Sequence, residues 1–208
     1  MNIYQGADKV IKEMNRKNLK AFNLLKLARF DELNVIRRVD ATYDASVREA
    51  KRKYYEIAVE AYIVALYEAR IDRVKAHEMA DDTITDMFIL GILEDVDPVT
   101  LYAFLPETER KKQRLSEALA ATSAPAKEID KALRYWTVQI GQYAITSVDR
   151  ARLQAFKDAG IEKVKWITQE DERVCYTCGA RHERVYPVDN VPPKPHIACR
   201  CYLVPVLT

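Results

Sequence analysis

All four cysteines of this chain fall within its last 34 residues, ordered Cys175-x2-Cys178, then seventeen residues, then His196-x2-Cys199-x-Cys201. Thiolate sulfur and imidazole nitrogen are the donors that zinc prefers, and a structural site takes four of them in a tetrahedron. A Cys-x2-Cys pair can present two sulfurs from one tight turn, and a second close-set group must then arrive from elsewhere to finish the shell. Five donors compete here for four places: Cys175, Cys178, His196, Cys199 and Cys201. The spacing predicts a structural zinc site made by Cys175, Cys178, His196 and Cys199. Cys201 is the reserve ligand, because two ligands flanking Arg200 must bend sharply to converge on one ion. Two other states stay open at this stage, a pair of disulfides formed outside a cell and four reduced, partly buried thiols.

Other chemistry finds little support. His182 stands in the charged run Arg181-His182-Glu183-Arg184 and is expected to face solvent, and His77 sits late in a polar helical stretch. Asp171, Glu172 and Asp189 are available carboxylates, but nothing in their spacing pairs them for acid/base work. The sequence contains no His-Glu-x-x-His, no Gly-x-Ser-x-Gly and no phosphate-binding glycine loop. The His-x-Glu…Pro-Cys-x-x-Cys order of the zinc deaminases is missing as well. A full complement of thiolate and imidazole ligands leaves an ion no open position for water. The expectation is a protein that is not an enzyme.

The segment that must position these ligands differs in kind from everything before it. Five of the eight prolines lie beyond Tyr186, and the helical period stops at Gly160. Val164–Thr168, Arg184–Tyr186 and Tyr202–Val204 alternate as strands do. Residues 161–208 hold too few apolar groups to fold easily alone, and so small a module needs a staple. Structural zinc contributes on the order of 10 kcal/mol or more.

The preceding residues read as long helices. Val10, Ile11, Met14, Leu24, Leu25, Leu27 and Ala28 recur at helical spacing and predict a helix over 7–39. A second is predicted over 41–79, with Val47, Ala50, Tyr54, Ile57, Ala61, Ala65 and Ala69 as its stripe. Asp81, Asp82 and Asp86 suit the start of a shorter helix through Leu93. Asp97-Pro98 and Pro106-Glu107 look like helix starts, and Thr122-Ser123-Ala124-Pro125 is a break. A third long helix is predicted over 126–160, with a stripe from Ile129 through Trp136, Ile140, Tyr143, Ala144 and Val148 to Phe156, and with Gly160 as its left-handed cap. The expected fold is mainly α: an elongated long-helix body carrying a small, β-containing, zinc-stapled C-terminal module. It divides into 1–125, 126–160 and 161–208. Stripes this long are expected to need cover from other chains.

The net charge of +2 conceals an uneven distribution. Residues 1–40 carry +4, residues 81–110 carry −7, residues 111–160 carry +4 and the tail only +1. Such blocks suit electrostatic docking between elements or onto a neighbouring subunit. Met1–Asp8 does not read as a secretory signal, and no apolar run approaches the roughly 20 residues of a membrane span. A cytosolic folding compartment, with thiols kept reduced, is expected.

The run Trp166-Ile167-Thr168, Asp171, Arg173-Val174-Cys175-x2-Cys178, closing on Pro195-His196-x2-Cys199-Arg200-Cys201, resembles the C-terminal signature of the phage Mu protein F-like family. Arg134-Tyr135-Trp136 to Gly160 resembles the helical part of that family, so the likeness covers residues 126–208. One departure is the interval Ala180 to Glu183, which has no glycine where a turn is expected. Membership would imply a minor capsid, or head-morphogenesis, protein of a tailed bacteriophage. It would sit in the virion at the portal vertex, after assembly in the host cytoplasm, with a role in DNA packaging or ejection. The implied partners are the portal protein, the major capsid or scaffolding protein, further copies of the chain, and packaged DNA facing Lys9, Lys12, Arg16, Lys17, Lys20 and Lys26. The competing class is a nucleic-acid-binding protein that reads DNA or RNA with a zinc-finger-like tail, against which the tail's small net charge counts.

Overall fold

The computed structural model describes residues 3–27, 32–84, 104–169, 174–197 and 199–207, together with Gly91 and Leu93. Among the described residues, five helices form the body. α1 spans Gln5–Lys26, α2 Glu32–Glu68, α3 Arg73–Thr83, α4 Phe104–Ala121 and α5 Pro125–Asp158. At 1.5 Å per residue the 37 residues of α2 and the 34 of α5 each extend about 50 Å. Among the described residues no helix is long and apolar enough to cross a membrane.

Two expected helix boundaries are corrected. The first helix stops at Lys26 rather than continuing to residue 39, and the chain resumes as α2 at Glu32; Ala28 and its neighbours through residue 31 lie outside the described residues. The second stops at Glu68, not 79. Arg70 takes a left-handed φ of 64°, its N–H donates to the Tyr67 carbonyl, and the Ile71 N–H donates to that of Leu66. This is the Schellman closure, made here without glycine. Asp72 then caps α3, its carboxylate accepting the N–H groups of Val74 and Lys75 at 3.1 Å. Asp81 and Asp82 therefore end α3 instead of opening a new helix. The helix expected through Leu93 from Asp86, and the start at Asp97-Pro98, fall outside the described residues except Gly91 and Leu93.

The later boundaries follow their local signals. Pro106 occupies the first turn of α4 and Pro125 the first position of α5. Gly160 closes α5 at φ +72°, with the Ile161 N–H bonded to the Phe156 carbonyl. The apolar stripes of α1, α2 and α5 face one another, so the surface expected to await other chains is largely covered within this one. At their meeting point Tyr43 and Phe104 flank Trp136, with ring centroids 4.8 and 5.5 Å away. The Trp136 indole N–H donates to Ser46 Oγ, which donates to Asn18 Oδ1, so the three helices share one buried polar chain. In α1 the buried aromatic is Phe22, whereas Leu24 and the C-cap residue Leu27 are exposed, at 65% and 82%.

The tail is a three-stranded antiparallel sheet in the order β2-β1-β3, with β1 Lys163–Ile167, β2 Val185–Pro187 and β3 Tyr202–Pro205. A single-turn helix, α6 (Tyr176–Gly179), lies between β1 and β2. Val164 and Trp166 share the inward face of β1: Val164 joins the helical core, and Trp166 packs with Cys178, Cys199 and Cys201 in a separate small cluster. Where a glycine was expected before β2, Glu183 adopts φ 58° and donates its N–H to the Trp166 carbonyl at 2.7 Å.

Candidate metal centre

The single turn of α6 follows from how Cys175 is held. Its extended backbone places it at the N-cap, where Sγ accepts the Cys178 N–H at 3.4 Å. Both sulfurs of the Cys-x2-Cys pair are thereby aimed to one side. The other donors come from the segment that leads into β3. Cys199 and Cys201 are both buried and Arg200 between them is exposed, because alternate residues of an extended chain share a face. Cys201, the reserve ligand, therefore brings its sulfur into the cluster beside Cys199.

All five sequence-predicted donors come together. Cys175, Cys178 and His196 form one group with ligand atoms within 4.8 Å of one another, and Cys178, Cys199 and Cys201 form a second. Cys178 belongs to both. Its Sγ lies 3.5 Å from His196 Nε2 and 3.5 Å from Cys199 Sγ. Bonds of about 2.3 Å to sulfur and 2.0–2.1 Å to nitrogen make the edges of a tetrahedral zinc shell roughly 3.8 Å for S–S and 3.5–3.6 Å for S–N. The S–N distance matches, and the S–S distance is shorter by a few tenths of an ångström. It is also far beyond a covalent S–S bond of about 2.05 Å, and all four cysteines are free. The cluster can hold a metal ion.

The electrostatics favour it. Cys199 is lowered to about 5, first by a hydrogen bond from the Cys201 thiol and also by the Lys194 charge. As the donor in that bond, Cys201 is pushed up steeply. Burial raises Cys178 to about 12, while the Cys178 N–H holds Cys175 below its ordinary value. One thiolate thus sits among buried thiols that a dication would deprotonate. His196 Nδ1 donates to the Ile197 carbonyl at 3.0 Å, which leaves Nε2 as the lone-pair donor facing the sulfurs and raises the ring's proton affinity.

A second layer ties the cluster to the helical body, and sequence reasoning missed it. Lys194 Nζ bonds Asp149 of α5 at 2.5 Å, Tyr4 Oη at 2.7 Å and the Cys199 carbonyl at 3.1 Å. The buried Tyr4 hydroxyl lies 2.7 Å from Asp149 Oδ1 and 2.8 Å from the Cys201 carbonyl. Arg152 is 3% exposed; it holds Glu68 at 2.6 Å and the Leu203 carbonyl of β3 at 3.0 Å. Apart from Lys194 and Cys199, which are close in the chain, these partners lie between 45 and 197 residues apart. No local pattern announces them.

The remaining candidates fall elsewhere. His182 is half-buried rather than solvent-facing, and its Nδ1 accepts the Thr168 N–H at 3.2 Å, pinning the end of β1. His77 is exposed on α3, 3.3 Å from the Tyr67 hydroxyl. Asp189 pairs with Lys157 away from the sulfurs, and Asp171 and Glu172 lie outside the described residues. Of the six basic residues expected to face DNA, Lys17 pairs with Glu13 and Glu49 and Lys26 with Asp130, while Lys9, Lys12, Arg16 and Lys20 are exposed. No protein-family model, no curated protein and no solved structure matches this chain.

Proposed function

We propose that the cluster holds one structural zinc ion through Cys175, Cys178, His196 and Cys199, and that the chain is a minor capsid component of a tailed-phage head. The observation that carries the metal reading is the convergence of five soft donors, from two separated segments, around the shared Cys178 sulfur. Cys201 takes the role of a hydrogen-bond donor to the Cys199 thiolate, which tempers its charge. Three thiolates against a dication leave the site with a net negative charge, and Lys194 stands beside it. With its four positions filled by protein, such an ion stabilises rather than catalyses.

The order Cys-x2-Cys…Pro-His-x2-Cys-Arg-Cys at the end of a long helical body supports the capsid reading. A zinc-pinned tail seated on 50 Å helices suits a component that must keep its shape within an assembly. The test is co-expression with the portal, scaffolding and major capsid proteins of the same virus, followed by gradient sedimentation of the heads. The expected result is a low-copy band that travels with portal-containing heads. A chain that never leaves the top of the gradient refutes the capsid reading, and steeply salt-dependent DNA binding by the full chain under the same buffer would favour the nucleic-acid alternative.

A further inference from the structure

Along the outer side of α5 runs a cavity of about 740 Å³, walled by α4 on one flank and closed at one end by Lys194, His196 and Ile197 of the tail. Its α5 wall is one continuous helical stripe, from Glu128 through Lys131, Tyr135, Val138 and Gln142 to Arg150. At 1.5 Å per residue that stripe is about 33 Å long. Arg110, Arg114, Leu115 and Ala118 repeat the same spacing on α4. The hollow is therefore a groove, not a round pocket.

Its floor is apolar and its rim is basic. Tyr135 and Val138 are each 53% exposed and Ile197 42%, three open apolar side chains that line the same groove. Six cationic residues line the groove against two carboxylates; of the six, Arg110 and Lys111 are engaged by Glu107 and Lys194 by Asp149. Arg114 of α4 and Lys131 of α5 are exposed and have neither a hydrogen bond nor an ion pair among the described residues. An apolar trough of this length between rows of positive charge has the form that receives an amphipathic helix, whose apolar face enters the trough and whose flanks meet the rim. The sign of the rim selects the occupant.

We propose that this groove docks an acidic amphipathic helix of a partner protein. As an interaction surface it deepens the assembly reading, on which it rests for the existence of a partner, but it does not depend on the metal. A groove that takes the peptide in a chain that joins no capsid would sink that reading and leave this one standing.

The test uses the full chain and a synthetic, fluorescein-labelled peptide of about four helical turns, with leucines on one face and glutamates on the flanks. Two controls accompany it: the same peptide with lysine for glutamate, and the same composition with the leucines dispersed around the helix. Saturable polarisation changes are expected for the acidic amphipathic peptide alone. The double variant Arg114→Glu, Lys131→Glu is expected to lose on the order of tenfold or more in affinity and to gain affinity for the lysine peptide. Val138→Glu, at an exposed position that the fold does not need, is expected to weaken the acidic peptide without altering far-UV circular dichroism. Equal binding of the dispersed peptide, indifference to both variants, or full competition by a simple aliphatic carboxylate would overturn the proposal. So would self-association of the chain that the double variant abolishes, which would assign the groove to a second copy.

Discussion

Arg152→Ala is the most informative single change outside the sulfurs, because this side chain ties three elements together. Its guanidinium is 3% exposed, bonds Glu68 of α2 at 2.6 and 3.3 Å, donates to the Leu203 carbonyl of β3 at 3.0 Å, and lies 5.5 Å from the Phe156 ring centroid. Removing one member of a buried ion pair costs about 3–5 kcal/mol when the survivor stays desolvated. Glu68 retains 26% of its side-chain exposure, which places this pair toward the lower end. The orphaned Leu203 carbonyl adds about 1 kcal/mol, and the lost stem leaves a void against Phe156. The sum is about 4 kcal/mol, or roughly a 10 °C fall in Tm for a chain of this length. Arg152→Met keeps the stem and should recover part of the loss. The two tryptophans separate the events, since Trp136 is in the helical core and Trp166 in the tail. With Trp136→Phe as background, urea titration followed by Trp166 emission should show the tail loosening at lower denaturant in the Arg152→Ala protein. A loss below about 1 kcal/mol, or an unchanged Trp166 transition, would refute the lock.

Cys178→Ser should abolish stoichiometric zinc binding and leave the tail open to protease while most helical ellipticity persists, because Cys178 is common to both donor groups; Cys201→Ser should retain the metal with reduced affinity. Equal loss in the two variants, measured by metal analysis after dialysis, would assign Cys201 to the coordination shell. Glu183→Gly should stabilise the tail by about 0.5–1 kcal/mol in chemical denaturation, since it relieves a left-handed φ of 58° at a non-glycine residue; a destabilised variant would show that this side chain contributes more than the backbone costs. Burial raises the phenols of Tyr4, Tyr43, Tyr54 and Tyr143, and it raises Tyr62 to about 12. The neutral form is favoured in the folded state, so this stabilisation is complete below the unfolded value near 10 and is lost as pH climbs toward and beyond 12. Absorbance of tyrosinate should therefore rise together with the loss of ellipticity, and tyrosinate appearing in a chain that keeps its ellipticity would contradict that.

Features encoded within a few residues were legible in the sequence. The Cys-x2-Cys turn, the break at Thr122–Pro125 and the Gly160 stop that bound α5, and the three strands each carry their signal locally; α5 starts at Pro125, one residue before the expected 126. The corner at Arg70 was not legible, because a left-handed residue that is neither glycine nor asparagine leaves no compositional mark. Asp72 was the one available cue, a capping carboxylate ahead of α3. The spacing of the donors named the full cluster, and Cys201, the reserve ligand, lies within it beside Cys178 and Cys199. The anchors Tyr4, Asp149, Lys194 and Arg152 were beyond reach, because each derives its meaning from a partner that only tertiary structure supplies.

X-ray absorption at the zinc edge, on the purified 208-residue chain with its metal content determined in parallel, goes straight to the centre. One zinc per chain is expected, four-coordinate, with a sulfur-rich first shell near 2.3 Å and a single imidazole contribution. Metal-free protein whose four thiols all react freely with a thiol reagent while the tail stays folded would contradict the account.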